Sequence, residues 1–527
     1  MKKRILCIVL SLLAVSVSLL FVLNGCSPHE CLHVGSEWIV DVEPTCVAKG
    51  SRHQTCGLCG VILITEEIEM TGHDFSLTVT KPTCIAVGTT QSVCVHCGTV
   101  EKTEEYSPTV GHSLDETGIC TACGTYFIST AEQMFAFAKA VNEGNSYAGK
   151  TVALTTNIDV GTGEWTPIGT PSAPFAGIFA GNGHMISGYK INPNADMLYR
   201  GLFGYNTGRI ENVIVSRTGW WLSSTDVLTE DLYVGGVVAY NEGGTVSGCQ
   251  FLNTLQVSTK SDTGHVDVYV GGVVGYNNQG IVETSSAIGT VTAKVTAPTR
   301  ATGRVGGLLG YSNEGSVSRC YAEVSASATV TCTDADSHVG GLIGYLNKTQ
   351  VSDCYATGQA SSDATLSTDT VSGYNTAHAG GLVAYIYKSQ IKNCYATGNT
   401  YSDASNVDNA VYVYAGAFAG GIDAESTIAN CFATGNADAM KTTAGNYFAG
   451  GFIAYNVSMN YTCYQFSEQT LLGHQTPQTA VLTNISYTKE ATFYEAEFYE
   501  NGTPKQFKLG WSTDIWDIKD GSLPTLK

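Results

Sequence analysis

The chain has 527 residues, a formal charge of −19 at pH 7, 59 glycines and only 14% charged side chains. Such an acidic balance excludes nucleic acid as a natural partner, because phosphate binding draws on clustered Lys and Arg. Abundant Gly with few charges favours short strands and turns over solvated helices, and the length allows two or three domains.

Met1 is followed by Lys2, Lys3 and Arg4, then by an apolar run from Ile5 to Leu23. These are the n-region and h-region of a secretory signal. The run ends in Leu23-Asn24-Gly25-Cys26, which resembles the bacterial lipobox, with Asn24 an unusual residue there. The resemblance implies removal of residues 1–25 and lipidation of Cys26. The expected location is therefore extracytoplasmic, with the membrane as a partner through the lipid and the rest exposed at the surface. An uncleaved single span is the alternative, since such a run at 1.5 Å rise nearly crosses a core of roughly 30 Å.

Residues 26–125 hold a repeat of 38 residues: Glu43-Pro44-Thr45-Cys46 with Cys56-Gly57-Leu58-Cys59-Gly60, then Lys81-Pro82-Thr83-Cys84 with Cys94-Val95-His96-Cys97-Gly98. Gly72-His73 and Gly111-His112 close the units, and a shortened third carries Cys120 and Cys123. A CxxC followed by Gly makes a tight knuckle presenting two thiolates, and one more Cys and a His complete a tetrahedral zinc-ribbon-like site. The spacing assigns His33, Cys46, Cys56 and Cys59 to one structural zinc and His73, Cys84, Cys94 and Cys97 to the next. His112, Cys120 and Cys123 form an incomplete third set. The trailing His73 and His112 are the alternative histidines for the first two sites, and disulfides are the alternative chemistry outside the cytoplasm. The segment resembles short Cys/His repeats of Gram-positive surface proteins, which implies no particular activity. His29-Glu30-Cys31-Leu32-His33 spells HExxH, but it follows Pro28, precedes Gly35 and lacks an apolar helical pattern, so peptidase chemistry is not expected there.

Ser129-Thr130-Ala131-Glu132 has capping-box spacing, with Met134, Phe135, Phe137, Ala138 and Val141 as an apolar face and Gly144 as a stop. This short helix and the strands after it form an N-terminal cap over residues 126–195. From 196 to 465 a Gly-Gly-apolar-apolar sentence recurs, its first Gly at 235, 271, 306, 340, 380, 416 and 450. Intervals of 34 to 40 residues, filled with short strands and Gly-rich turns, fit one solenoid coil per repeat. The fold class is mainly β, a parallel β-solenoid. Length variation falls in Ser/Thr/Asp-rich stretches such as 359–376, expected to be loops, and residues 466–527 are expected to cap the last coil.

Gly201-Leu202-Phe203-Gly204 and the repeats after it resemble the GLUG family of bacterial adhesins and immunoglobulin A metallopeptidases. The resemblance implies a surface solenoid and carries no catalytic residue. Cys249, Ser285, Cys320, Cys354, Cys394, Cys431 and Cys463 recur at one place in the coil, as core filler with disulfide bonds as the alternative; Cys332 lies off this column. Tyr240, Tyr276, Tyr311, Tyr345, Tyr385 and Tyr455 form a second column, either packing or a sugar platform. The function expected is non-catalytic adhesion or binding of a glycan or cell-surface protein. A structural stalk and a polysaccharide-active β-helix enzyme are the alternatives, and the sequence names no ligand residue.

Overall fold

The computed structural model describes residues 32–80, 88–106, 119–121, 123–161, 164–188, 190–191, 197–262, 264–366, 374–405, 411–423, 425–440, 446–456, 461–467, 469–472, 485–488, 499 and 509–527. The signal segment, Cys26, the His29-Glu30 half of the HExxH, Cys84 and His112 lie outside them. Among the described residues no helix is long and apolar enough to cross a membrane.

The chain divides into two compact units, residues 1–113 with 121–123, and residues 114–120 with 124–527. The first contains two antiparallel three-stranded sheets: β1 (Ile39–Val42), β2 (Gly50–Thr55) and β3 (Ile62–Ile68), then β4 (Phe75–Thr80), β5 (Gly88–Cys94) and β6 (Val100–Tyr106). These sheets have almost no core. Among the described residues of 32–106 the buried ones are Gly50, Cys46, Cys56 and Cys94, while Ile62, Leu77 and Val79 stand exposed.

The second unit is mainly β, a parallel β-solenoid with one short helix. Two of its sheets have eight strands each, all parallel, and a third runs the length of the stack. Gly235, Gly271, Gly306, Gly340, Gly380, Gly416 and Gly450 pair in succession, so the sequence repeat is the coil. A Cβ on any of these glycines would stand between 1.8 and 2.0 Å from a backbone oxygen three residues on. The corner therefore admits only glycine.

Val234, Val237 and Val238 and their counterparts in the other coils fill one continuous core. Beside it runs a buried amide ladder, in which Asn206 Nδ2 donates to Asn241 Oδ1 (2.7 Å) and Asn241 Nδ2 to Asn277 Oδ1 (2.8 Å). The cysteine column is buried, and no disulfide joins cysteines among the described residues. Each of Cys320, Cys354, Cys394 and Cys431 donates its thiol to the carbonyl two residues earlier, at 3.1–3.2 Å.

Three local readings change. Helix α1 (Ala131–Asn142) is capped by Thr130 with Gln133, one residue later than the expected Ser129-Glu132 box, because Gln133 Oε1 reaches back to the Thr130 N–H. The stretch 359–376 is not all loop: Ala360–Leu366 is a strand paired with 326–332 and 400–404. Its polar composition conceals an alternation with small inward residues, Ala360, Ser362 and Ala364. At the C-terminus, 485–488 continues the stack beside 463–466, but 509–527 lies along its flank. Trp511 and Trp516 cover a ladder of Tyr355, Tyr395 and Phe432, whose rings stack at 4.9 Å, and the Tyr395 hydroxyl donates to Pro524 O at 2.8 Å.

Candidate functional site

The three CxxC knuckles close in one way. The first Cys N–H bonds five residues ahead and the Gly N–H bonds back to the first Cys carbonyl, as in Cys56 to Val61 and Gly60 to Cys56, Cys94 to Thr99 and Gly98 to Cys94, and Cys120 to Thr125 and Gly124 to Cys120. Gly60, Gly98 and Gly124 take φ of 74°, 74° and 69°, which glycine adopts without strain.

In each of the first two units the residue after the histidine pins the knuckle by a backbone bond, Gly57 N–H to Val34 O and Val95 N–H to Asp74 O. His33 Nδ1 then lies 3.5 Å from Cys59 Sγ, and His73 Nδ1 3.3 Å from Cys97 Sγ. His33, Cys56 and Cys59 form one ligand cluster; Cys46, His73, Cys94 and Cys97 form another, all ligand atoms of each within 4.8 Å of one another.

Cys46 is thus not with His33, Cys56 and Cys59, where the spacing placed it. Strand β2 separates Cys46 from Cys56, and six extended residues carry the chain about 17 Å. Short separation in sequence becomes opposite ends of a sheet. Cys84 and His112, assigned to the second and third sets, fall outside the described residues, and Cys120 and Cys123 appear in neither cluster. Of the HExxH pattern, His33 belongs to the first cluster.

A tetrahedral ion with metal–sulfur and metal–nitrogen bonds of about 2.3 and 2.1 Å sets its ligands about 3.8 Å (S···S) and about 3.6 Å (S···N) apart. Cys46 Sγ and Cys94 Sγ are 3.7 Å apart. The cluster therefore has the spacing to hold a metal ion, and its electrostatics favour cation capture. The backbone N–H groups of Leu58 and Cys59, with His33, hold the Cys56 thiol down to about 5. Burial acts to raise Cys94, but bonds from His73 and from the His96 and Cys97 N–H groups bring it to about 5. Burial and the Cys97 and Cys94 thiols push Cys46 up to about 11, so a cation bound here would displace the proton of this thiol into solvent.

The solenoid carries a second feature, two aromatic columns side by side, the first half-buried and the second largely buried. Tyr205, Tyr240, Tyr276, Tyr311, Tyr345 and Tyr385 stack at 4.8–5.3 Å. Along the adjoining strands run Tyr199, Tyr233 and Tyr269, then Arg304, His338 and His378, then Tyr414 and Phe448. Rings of the two columns meet edge to face at 5.0–5.3 Å, as in Tyr233–Tyr240, Tyr269–Tyr276 and His338–Tyr345. The surface folds inward along this line. Sequence reasoning missed the second column because its chemistry changes from coil to coil; the signal is the position two residues before each first Gly.

The first column is half-buried, and its ring faces are spent on one another. Stacked in this way, the rings do not present the open faces of a flat sugar platform. Midway along, Arg304 Nη1 lies 2.8 Å from Asp267 Oδ2 and its guanidinium 5.1 Å from the Tyr269 ring centre. Burial acts against the Asp267 carboxylate, but Arg304 wins and lowers it below the usual carboxylate range. Near the head of the second column a cavity of about 380 Å³ is lined by Thr166, Pro167, Pro171, Met197, Leu198 and Tyr199.

The GLUG motif is matched at residues 267–292, 335–361 and 375–401, each match running from the second aromatic column through the Gly-Gly corner. The solenoid carries GLUG repeats. An IgA1 protease structure is similar over 84% of this chain at 14% identity and a TM-score of 0.34, and the chain spans 28% of its length. A candidate immunoglobulin A1 protease from Bacteroides ovatus is similar over 78% of this chain and 94% of its own, at 15% identity and a TM-score of 0.27. Likeness at these TM-scores carries no argument about activity. A search of curated proteins returned no match.

Proposed function

We propose that this chain is a lipid-anchored surface protein whose GLUG solenoid binds an extended ligand, a glycan chain or cell-surface protein, without catalysis, behind a zinc-held Cys/His spacer. The observation that carries the reading is the inward-folded line of two aromatic columns, in which a half-buried tyrosine recurs every 4.8–5.3 Å along the axis from Tyr205 to Tyr385. A regular row of tyrosines suits a ligand that is itself extended and repetitive. The 380 Å³ cavity at its head falls within the range of roughly 300–1,000 Å³ typical of ligand pockets. Midway along the line Asp267 and Arg304 of successive coils are engaged with each other, which supports binding over chemistry. Zinc fits the soft thiolate and imidazole donors better than a cation that prefers oxygen.

The test is retention of the full-length protein on immobilised polysaccharides and host-matrix proteins. Tyr240→Ala with Tyr276→Ala should lose retention while keeping the wild-type circular dichroism. Unchanged retention by that variant would move the site elsewhere, and no retention of the wild type on any surface would favour a stalk. Appearance of new reducing ends or unsaturated sugars would overturn the non-catalytic reading.

A further inference from the structure

We propose that the Cys/His repeats are joined to one another by shared metal ions: Cys46 of one repeat supplies the fourth ligand to the ion held by His73, Cys94 and Cys97 of the next. The inference rests on the zinc reading above and adds which ligands belong to which ion. Each knuckle with its own histidine is a three-ligand half-site, built alike in both units. The lone cysteine sits instead in the bend between β1 and β2, where Thr45 Oγ1 accepts from the Ala48 N–H at 3.0 Å. From that bend the Thr45 carbonyl accepts from the Thr71 N–H at 3.1 Å. This bond ties the bend to the segment that leads into His73.

Two independent contacts, one backbone and one sulfur to sulfur at 3.7 Å, thus point Cys46 forward along the chain. Among the described residues apolar packing offers no other joint, since beyond Gly50 the buried residues of these two sheets are cysteines. The ion is then the fastening between successive repeats, and the spacer is a chain of sheets that holds together only while metal is bound.

The experiment uses full-length protein purified anaerobically and loaded with cobalt(II), whose thiolate-to-metal charge-transfer band counts cysteines. In a Cys56→Ala/Cys59→Ala background, which removes the first cluster, Cys46→Ala should reduce the remaining band by at least the share of one thiolate or abolish binding at that site. In the reciprocal Cys94→Ala/Cys97→Ala background, Cys46→Ala should change nothing. The opposite pattern, silence in the first background and loss in the second, would overturn the sharing and restore the grouping by sequence spacing. Wild-type protein that takes up no cobalt or zinc would overturn the metal reading itself, a result the paired backgrounds distinguish from a wrong assignment of Cys46.

Discussion

His338 and His378 occupy rungs that are tyrosine in earlier coils, and their rings stack at 4.9 Å, almost wholly buried. An imidazole in the unfolded chain titrates near ~6.5. Burial lowers both to about 3 in the fold. Below pH ~6.5 the unfolded chain therefore takes up protons that the folded chain refuses, and stability falls as pH drops toward the folded value. The slope approaches about 1.4 kcal/mol per pH unit for each imidazole. Urea unfolding at pH 7 and pH 4.5 should show the pH-dependent loss diminished in His338→Tyr/His378→Tyr. An equal loss in both proteins would contradict this source of acid sensitivity. The cysteine column allows a second test at the same scale, because Ser285 already replaces sulfur in one coil. Cys354→Ser should cost about 1 kcal/mol, whereas Cys354→Leu, which overfills the column, should cost about 1–3 kcal/mol. Equal denaturant midpoints for the two variants would mean the column is loosely packed.

At the scale of elements, the C-terminal flap is placed by aromatic packing rather than by the stack. Trp516 is fully buried over Tyr355 and Tyr395, with its indole N–H 3.4 Å from Asp353 Oδ1. Trp516→Ala should cost about 3 kcal/mol and bare the tyrosine ladder. Increased binding of a hydrophobic dye with a lowered urea midpoint would support this; neither change would place the flap elsewhere in solution. The coil register was legible in the chain because the Gly pair and the Cys column recur at fixed places. The strand Ala360–Leu366 was hidden by Ser, Thr and Asp, which read as loop although every second residue is small and buried. The ligand grouping was hidden more deeply. Cys46 is nearer to Cys56 than to His73 in sequence, and only the intervening strand reveals that it is farther in space.

At the scale of the whole molecule, two units are stabilised by different physics. The solenoid buries a continuous core through every coil, so its stability comes from apolar burial and from neighbouring coils. The Cys/His unit leaves most of its described large apolar side chains exposed and has candidate ligands where a core would stand. The most direct test of this division is amide hydrogen exchange of the full-length, reduced protein with and without a strong zinc chelator. Metal removal should abolish protection across β2, β3, β5 and β6 while leaving the coils from Tyr199 to Asn456 as protected as before. Retained protection of those four strands without metal, or loss of protection spreading through the coils, would contradict the account.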